Sequence, residues 1–180
     1  MTPLGHSLFG ATLAVAGGRS PSVGKGTAAI VLAAVVSANV PDLPLPGWGH
    51  SNYRVSHSVF VGLSLIATAG LLYLAVPNGR QKLGGWRVFR VCAAALLSHY
   101  LLDSFYNHGR GIAMFWPVSD ARLALPIPWF STLGSLRPAL DWHLIRTCAI
   151  ELVCYGSLLG IAVWVRRGFV PQHSPSSAAD

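Results

Sequence analysis

An imidazole and a carboxylate four residues apart, His99 and Asp103, interrupt a run otherwise dominated by valine, alanine and leucine. On a helix, residues with this spacing share a face about 6 Å apart along the axis, so both side chains can point at one common atom. Ionisable groups are costly inside an apolar span, and function is the default reason for keeping them there. Two readings follow: a metal ion shared by the pair, or a His–Asp hydrogen bond that satisfies two buried polar groups between helices. What decides between them is which other polar residues the chain can bring to the same place.

The surroundings of the pair fix the class of protein. Of the 180 residues, 52% are hydrophobic and 11% charged, against about 25% charged in a typical soluble domain. The chain therefore reads as an all-α integral membrane protein, its six tryptophans suited to an interfacial belt. The formal charge of +7 has a membrane explanation, arginines in loops that set orientation and meet anionic headgroups. No arginine-rich run or aromatic–basic interleaving offers a nucleic-acid groove, so direct nucleic-acid binding is not expected. Cys92, Cys148 and Cys154 lie in apolar runs without the Cys-x-x-Cys spacing of a structural zinc site and read as packing residues. Met1 to His6 has no positive charge ahead of its apolar stretch and does not resemble a cleaved signal peptide. Residues 1–168 are expected to form one membrane-embedded domain, and the polar, proline-rich residues 169–180 a disordered tail.

Breakers divide the chain into segments. Leu4 to Ala16 is short for a span and ends at Gly17-Gly18-Arg19-Ser20-Pro21. Four longer segments read as spans: Gly26–Val40, Val59–Val76, Trp86–Phe105 and Pro138–Val165. The second segment stops at Pro41, and Pro44 and Pro46 keep the chain from resuming a helix. Between Ile112 and Leu136 the chain is apolar but broken by Pro117, Pro126 and Pro128, with Trp116 and Trp129 marking interface depth. The expected architecture is a polytopic helical bundle of four long spans, a short N-terminal helical segment and a connector lying on the membrane surface.

Threading these spans up and down gathers the polar residues at one end. Asp42 ends the second segment, His57 begins the third, and His99 and Asp103 lie in the C-terminal half of the fourth. His6 begins the first segment, and Asp141 and His143 begin the last. Mixed nitrogen and oxygen ligands with room for water are the composition of a catalytic divalent-metal site. His108, just past Asp103, is a further candidate ligand or a capping residue, and His50 reads as solvent-facing or substrate-side. Asp42 or Asp103 would take a proton from water, and Arg54 or Arg110 would hold a phosphate oxygen. A Ser-His-Asp reading is poorer, because Ser56, Ser58 and Ser98 directly flank histidines and neighbours on a helix do not face each other.

Gly5-His6, Val40-Pro41-Asp42, Ser56-His57-Ser58, Ser98-His99 through Asp103, and Gly111 through Phe115-Trp116-Pro117 to Leu125-Pro126 come in an order that resembles the YdjM-type family of bacterial inner-membrane proteins. That family is described as metal-dependent hydrolases and, for one branch, as LexA-binding. The resemblance covers about Met1 to Pro128. Here Asn52-Tyr53 stands where the family often has His-Arg, and Pro44 where it has a second acid. The ligand order is also similar to that of zinc-dependent phospholipase C and related single-strand nucleases. That likeness implies one metal on Asp42, His57, His99 and Asp103, a second on His6 bridged by Asp103, and His108 as the further histidine.

The resulting expectation is a membrane-bound hydrolase using zinc, with manganese as the alternative, on an ester or phosphoester of a membrane lipid or lipid-linked substrate. A non-catalytic, metal-stabilised protein that binds a LexA-type partner is the alternative, and a small transporter with acid–imidazole proton relays is a third. A relay would want polar residues through the full depth of the bundle, whereas these cluster at one end. Arg19, Lys25, Arg80, Lys82, Arg87, Arg90, Arg166 and Arg167 lie at the opposite end, eight of the 13 basic residues. The positive-inside rule then puts the C-terminus in the cytoplasm and the site on the outer face of the inner membrane.

Overall fold

A computed structural model describes residues 1–18, 25–76, 85–106, 111–125, 127–133 and 140–168, and among them the chain is all-helical. The helices are α1 (Pro3–Ala16), α2 (Lys25–Asn39), the one-turn α3 (Tyr53–Ser56), α4 (Val59–Ala75), α5 (Gly85–Ser104) and α6 (Trp142–Gly168). Their ends follow the local chemistry. Thr2 caps α1, its hydroxyl accepting from the Leu4 N–H, and Ser58 caps α4 in the same way toward Val61. Past Asn39, Pro41 tightens the chain into a 3-10 turn over Val40–Asp42.

The expected four long spans are met in part. Only α6, with 27 residues, is long and apolar enough among the described residues to cross a membrane; it covers about 40 Å at 1.5 Å per residue. The apolar α2 and α4 have 15 and 17 residues, about 22 and 25 Å against a hydrocarbon core of about 30 Å. Proline punctuation shortens α2, and α4 ends at Ala75 where Val76 turns extended. The expected start of the last span near Pro138 lies outside the described residues, as do residues 169–180; the helix itself begins at Trp142.

The short α1 is the centre of the packing, against α2 on one side and α6 on the other. Small residues make this fit: Ala14, Ala34, Ala38, Val91 and Ala95 form one buried cluster. A Cβ on Gly10 would lie 2.9 Å from the Ala34 carbonyl oxygen and 3.1 Å from the Ala38 Cβ, so the two backbones touch there. The alanine-rich sequence of α2 permits this approach. Near the other end of α1, Met1, Tyr106 and Tyr155 form a second cluster with Phe9 and Phe130 packed on it.

The connector does more than lie on a surface. Ile112 and Ala113 are fully buried, and Ile112 and Leu123 exchange two backbone hydrogen bonds of 3.0 and 2.9 Å. Leu125 N–H donates to the Ser104 carbonyl at 2.7 Å and Ile127 N–H to Phe105 at 2.9 Å, while Val59 N–H donates to Met114 at 2.9 Å. The Ser58 hydroxyl donates to the Trp116 carbonyl. The segment is thus stitched across the end of α5 and the start of α4.

Candidate metal centre

Five side chains from four parts of the chain meet at that end. His6 projects from the first turns of α1, Asp42 from the 3-10 turn after α2, His57 from the corner between α3 and α4, and His99 and Asp103 from α5. His57 Nε2 lies 3.2 Å from Asp42 Oδ1, 3.4 Å from Asp103 Oδ2 and 3.2 Å from His99 Nε2. His99 Nε2 lies 3.5 Å from Asp103 Oδ2 and 3.9 Å from Asp42 Oδ1. Zinc bonds of about 2.0–2.1 Å in a tetrahedron set donor–donor edges of about 3.3–3.4 Å. The four shorter separations are close to that, and His99 to Asp42 at 3.9 Å is wider. The donors that lie mutually close are two triads sharing His99, namely His57, His99 and Asp103, and His6, Asp42 and His99.

His6 faces the remaining oxygens. Its Nε2 is 3.3 Å from Asp103 Oδ1 and 3.8 Å from Asp42 Oδ2, and its ring stacks on His99 with centroids 3.8 Å apart. Neither ring nitrogen of His6 has a hydrogen-bond partner of proper geometry among the described residues, although the side chain is buried. An imidazole buried with both nitrogens unsatisfied is costly, and a cation beside the carboxylates would remove that cost. Each carboxylate therefore offers one oxygen to His57 and the other to His6. Asp103 Oδ1 also accepts from the Met1 amine at 2.8 Å.

The outer partners orient the imidazoles as metal ligands require. His99 Nδ1 lies 2.8 Å from the Ala38 carbonyl, which only accepts, so Nδ1 carries the proton. The Ser56 hydroxyl donates to the Gly49 carbonyl at 3.2 Å and so accepts from His57 Nδ1 at 2.8 Å. Both Nε2 lone pairs then face each other and two carboxylates. That arrangement needs a proton or a cation at its centre. Gly49 is held at φ +56°, and a Cβ there would fall 2.4 Å from the Leu43 carbonyl oxygen, so the loop between Asp42 and His57 closes only with glycine. The Trp48 indole N–H braces the same loop by donating to Val40 at 2.7 Å.

Electrostatics keep the Asp42 carboxylate ionised. Burial pushes the Asp42 carboxyl up, but the hydrogen bond from His57 and the charges of His99 and His6 outweigh it and hold the group down at about 2. Burial pushes His57 down, and hydrogen bonds to Asp103 and Asp42 more than reverse this, raising it above its ordinary 6.5. Burial and the two carboxylates push the Tyr53 hydroxyl up. Tyr53 stacks on His57 with centroids 3.7 Å apart, and its hydroxyl reaches to 3.5 Å from Asp103 Oδ2. Asp42 is the most accessible of the five, 11% exposed against 2% or less for the others, so the approach to the cluster is past Asp42.

Other expected site residues lie elsewhere. Arg54 is exposed and pairs with Asp120 of the connector at 3.3 Å. His143 is exposed and meets the Thr132 carbonyl at 3.1 Å, and Asp141 precedes α6, where its carboxylate caps the helix by accepting from Leu144 N–H at 2.9 Å. These two residues are not brought into the cluster, because α6 starts beyond it. His108 and Arg110 lie outside the described residues, as does the side chain of His50. Tyr53 and Glu151 went unselected in the sequence. Glu151 is fully buried and accepts from Thr2 and Gly5 beside His6; an acid inside an apolar run was the available signal.

Compared with known proteins, residues 1–169 match the model of a family described as YdjM inner membrane protein, and the chain belongs to that family. No curated protein and no solved structure matches it.

Proposed function

We propose that this member of an inner-membrane family is a divalent-metal-dependent hydrolase acting on an ester or phosphoester of a lipid-like substrate. The observation that carries the reading is the meeting of two His/Asp triads that share His99, one of His57, His99 and Asp103 and one of His6, Asp42 and His99, each with its ligand atoms within 4.8 Å of one another, joined by the 3.2 Å approach of His57 Nε2 to Asp42 Oδ1. Asp42, His57, His99 and Asp103 would hold the ion, and His6 with the outer carboxylate oxygens favours a second position beside it. Mixed histidine and aspartate donors at this spacing favour zinc, with manganese next. Such an ion supplies Lewis-acid polarisation of the scissile group and acidifies water, worth several kcal/mol of charge stabilisation.

The protein's own groups supply the rest. Asp42, at the accessible edge and held ionised, would accept a proton from water entering there where one of its oxygens is not engaged with the ion. Tyr53, kept protonated, would hold Asp103 by hydrogen bond. The connector across the site end, bearing the half-buried Trp116 and the exposed Trp129, would seat an acyl or headgroup portion at the interface. Arg54 would serve a phosphate oxygen only on leaving Asp120; Arg110 is the alternative cation. In the bilayer, α2, α4, α5 and α6 would all cross, with the C-terminus cytoplasmic and the site outward. A reporter fused after Asp180 should be active in the cytoplasm; activity only outside it would reverse the orientation.

A second reading has its own support. Four protein ligands close a structural metal site, and all but Asp42 are almost fully buried, as a metal-stabilised protein binding a LexA-type partner would have them. One experiment separates the two. Protein purified in detergent without chelator should carry stoichiometric zinc or manganese and hydrolyse a phosphodiester or lipid-like phosphoester. Asp103→Asn should abolish turnover while the protein remains helical. Equal trace turnover by wild type and variant would favour the binding protein, and absence of metal from the wild type would end the metal reading.

A further inference from the structure

Glu151 is the chain's single glutamate, and it stands fully buried about a third of the way along the membrane-spanning α6. A carboxylate there is costly unless donors surround it. Three come from the start of α1: the Thr2 amide at 2.8 Å, the Gly5 amide at 3.0 Å and the Thr2 hydroxyl. Two of them are amide groups at a helix N-terminus, where free N–H donors and the positive end of the dipole favour an anion. The contact is close enough to dictate sequence. A Cβ on residue 5 would lie 2.9 Å from both the Cδ and the Oε2 of Glu151, so a methyl there would push the carboxylate away from this backbone. The next residue along is His6.

We propose that Glu151 is a positioning residue for the metal centre: by gripping Thr2 and Gly5 it fixes the height and rotation of α1, and so aims His6 at the outer oxygens of Asp42 and Asp103. A helix held only by lipid-like packing of alanine and glycine can slide and turn. One residue of slippage rotates a side chain by about 100° and shifts it about 1.5 Å, enough to remove His6 from the site. The proposal rests on the metal reading above and adds to it a residue that touches none of the donors itself.

The test uses the full-length protein in detergent with cobalt(II) as the probe. Wild type should bind cobalt with a d–d absorption spectrum that His6→Ala alters. Glu151→Gln keeps the size but loses an acceptor. It should bind cobalt about 10- to 100-fold more weakly, the range for loss of an outer-shell partner, and move the spectrum toward that of His6→Ala. Gly5→Ala should do the same through the 2.9 Å clash, and the double variant Gly5→Ala with Glu151→Asp, whose shorter acid makes room for the new methyl, should recover part of the lost affinity. Wild-type affinity and spectrum in both Glu151→Gln and Gly5→Ala would overturn the proposal while leaving the metal reading intact. If Glu151→Gln does not fold, the Gly5→Ala pair decides: no loss, or no recovery in the double variant, overturns it. Failure of the wild type to bind cobalt would overturn the metal reading and this proposal with it.

Discussion

The two ends of α1 are tied to the same neighbour by opposite charges. At its N-terminus the first amides donate to Glu151 of α6. At its C-terminus the Val15 carbonyl accepts from Arg166 of the same helix at 2.8 Å, and the Gly17 carbonyl from Arg87 of α5 at 2.6 Å. Both ties suit the helix dipole. Glu151 and Arg166 stand about 22 Å apart along α6 at 1.5 Å per residue, close to the length of the 14-residue α1. The two helices therefore run in the same direction, the stretch of α6 between the two charges matching the length of its shorter partner. The ends differ in what surrounds the charge. Glu151 is fully buried and short, with two of its three donors fixed in backbone, whereas Arg166 is half-buried and Arg87 reaches its carbonyl at an exposed contact, both on long side chains that can follow small movements. Geometry is held tightly where His6, Asp42, His57, His99 and Asp103 gather, and loosely at the arginine end.

That contrast can be broken most decisively at the buried end. His99→Ala removes a donor and its bond to Ala38, and the protein should lose stoichiometric metal, read by elemental analysis after gel filtration; retention of a full equivalent would sink the contrast. Acidification should act next. His57 is raised above 6.5 without metal, so as pH falls through that raised value a proton competes for the imidazole. Affinity should then drop by up to about tenfold per pH unit for each proton displaced. Metal-free stability should move the opposite way. A raised pKa contributes stability that is fully present below the unfolded value and lost as pH rises through the folded one. Titrations of affinity and of melting temperature in chelator should therefore have opposite slopes over this range, and parallel slopes would argue against proton–metal competition.

Between the ends, Gly10→Leu should strain the α1–α2 contact, because its Cβ meets the Ala34 carbonyl at 2.9 Å. Overpacking of this kind costs about 1–3 kcal/mol, measurable as a lower melting temperature in detergent, and an unchanged value would mean the helices can separate there without cost. The smallest effect is expected at the arginine end. Arg166→Ala removes one half-buried hydrogen bond, worth about 0.5–1.5 kcal/mol, and should leave metal affinity unaltered. If it weakened metal binding as much as His99→Ala, the division into a tight and a loose end would be wrong.

Much of this arrangement was legible in the sequence because polar residues in apolar runs are conspicuous and helix direction alternates. Asp42, His57, His99 and Asp103 converge by threading alone, and His6 joins them because α1 starts on that side. The same logic misplaces Asp141 and His143. Threading orders helix starts along the membrane normal only to within the overhang of each helix, and α6 begins about 13 Å ahead of Glu151 at 1.5 Å per residue. Glu151 was hard to read for a different reason: its partners are backbone amides and a hydroxyl on a helix far away in sequence, and no spacing rule marks them. Arg54 reads as a phosphate ligand from its place beside His57, but Asp120 comes from a connector whose path a pattern of prolines does not reveal.

The bond between His99 and the main-chain oxygen of residue 38 carries an implication for how this centre can be mapped by mutagenesis. Every amino acid offers that same oxygen, so side-chain replacement at position 38 cannot delete the acceptor, only displace it. What constrains the alanine is its closeness to Gly10, where a single added methyl would come within 3.1 Å of the Ala38 Cβ. A saturation scan would accordingly score position 38 by bulk, tolerating small residues of any chemistry, and would file a structural support of the imidazole under steric fit.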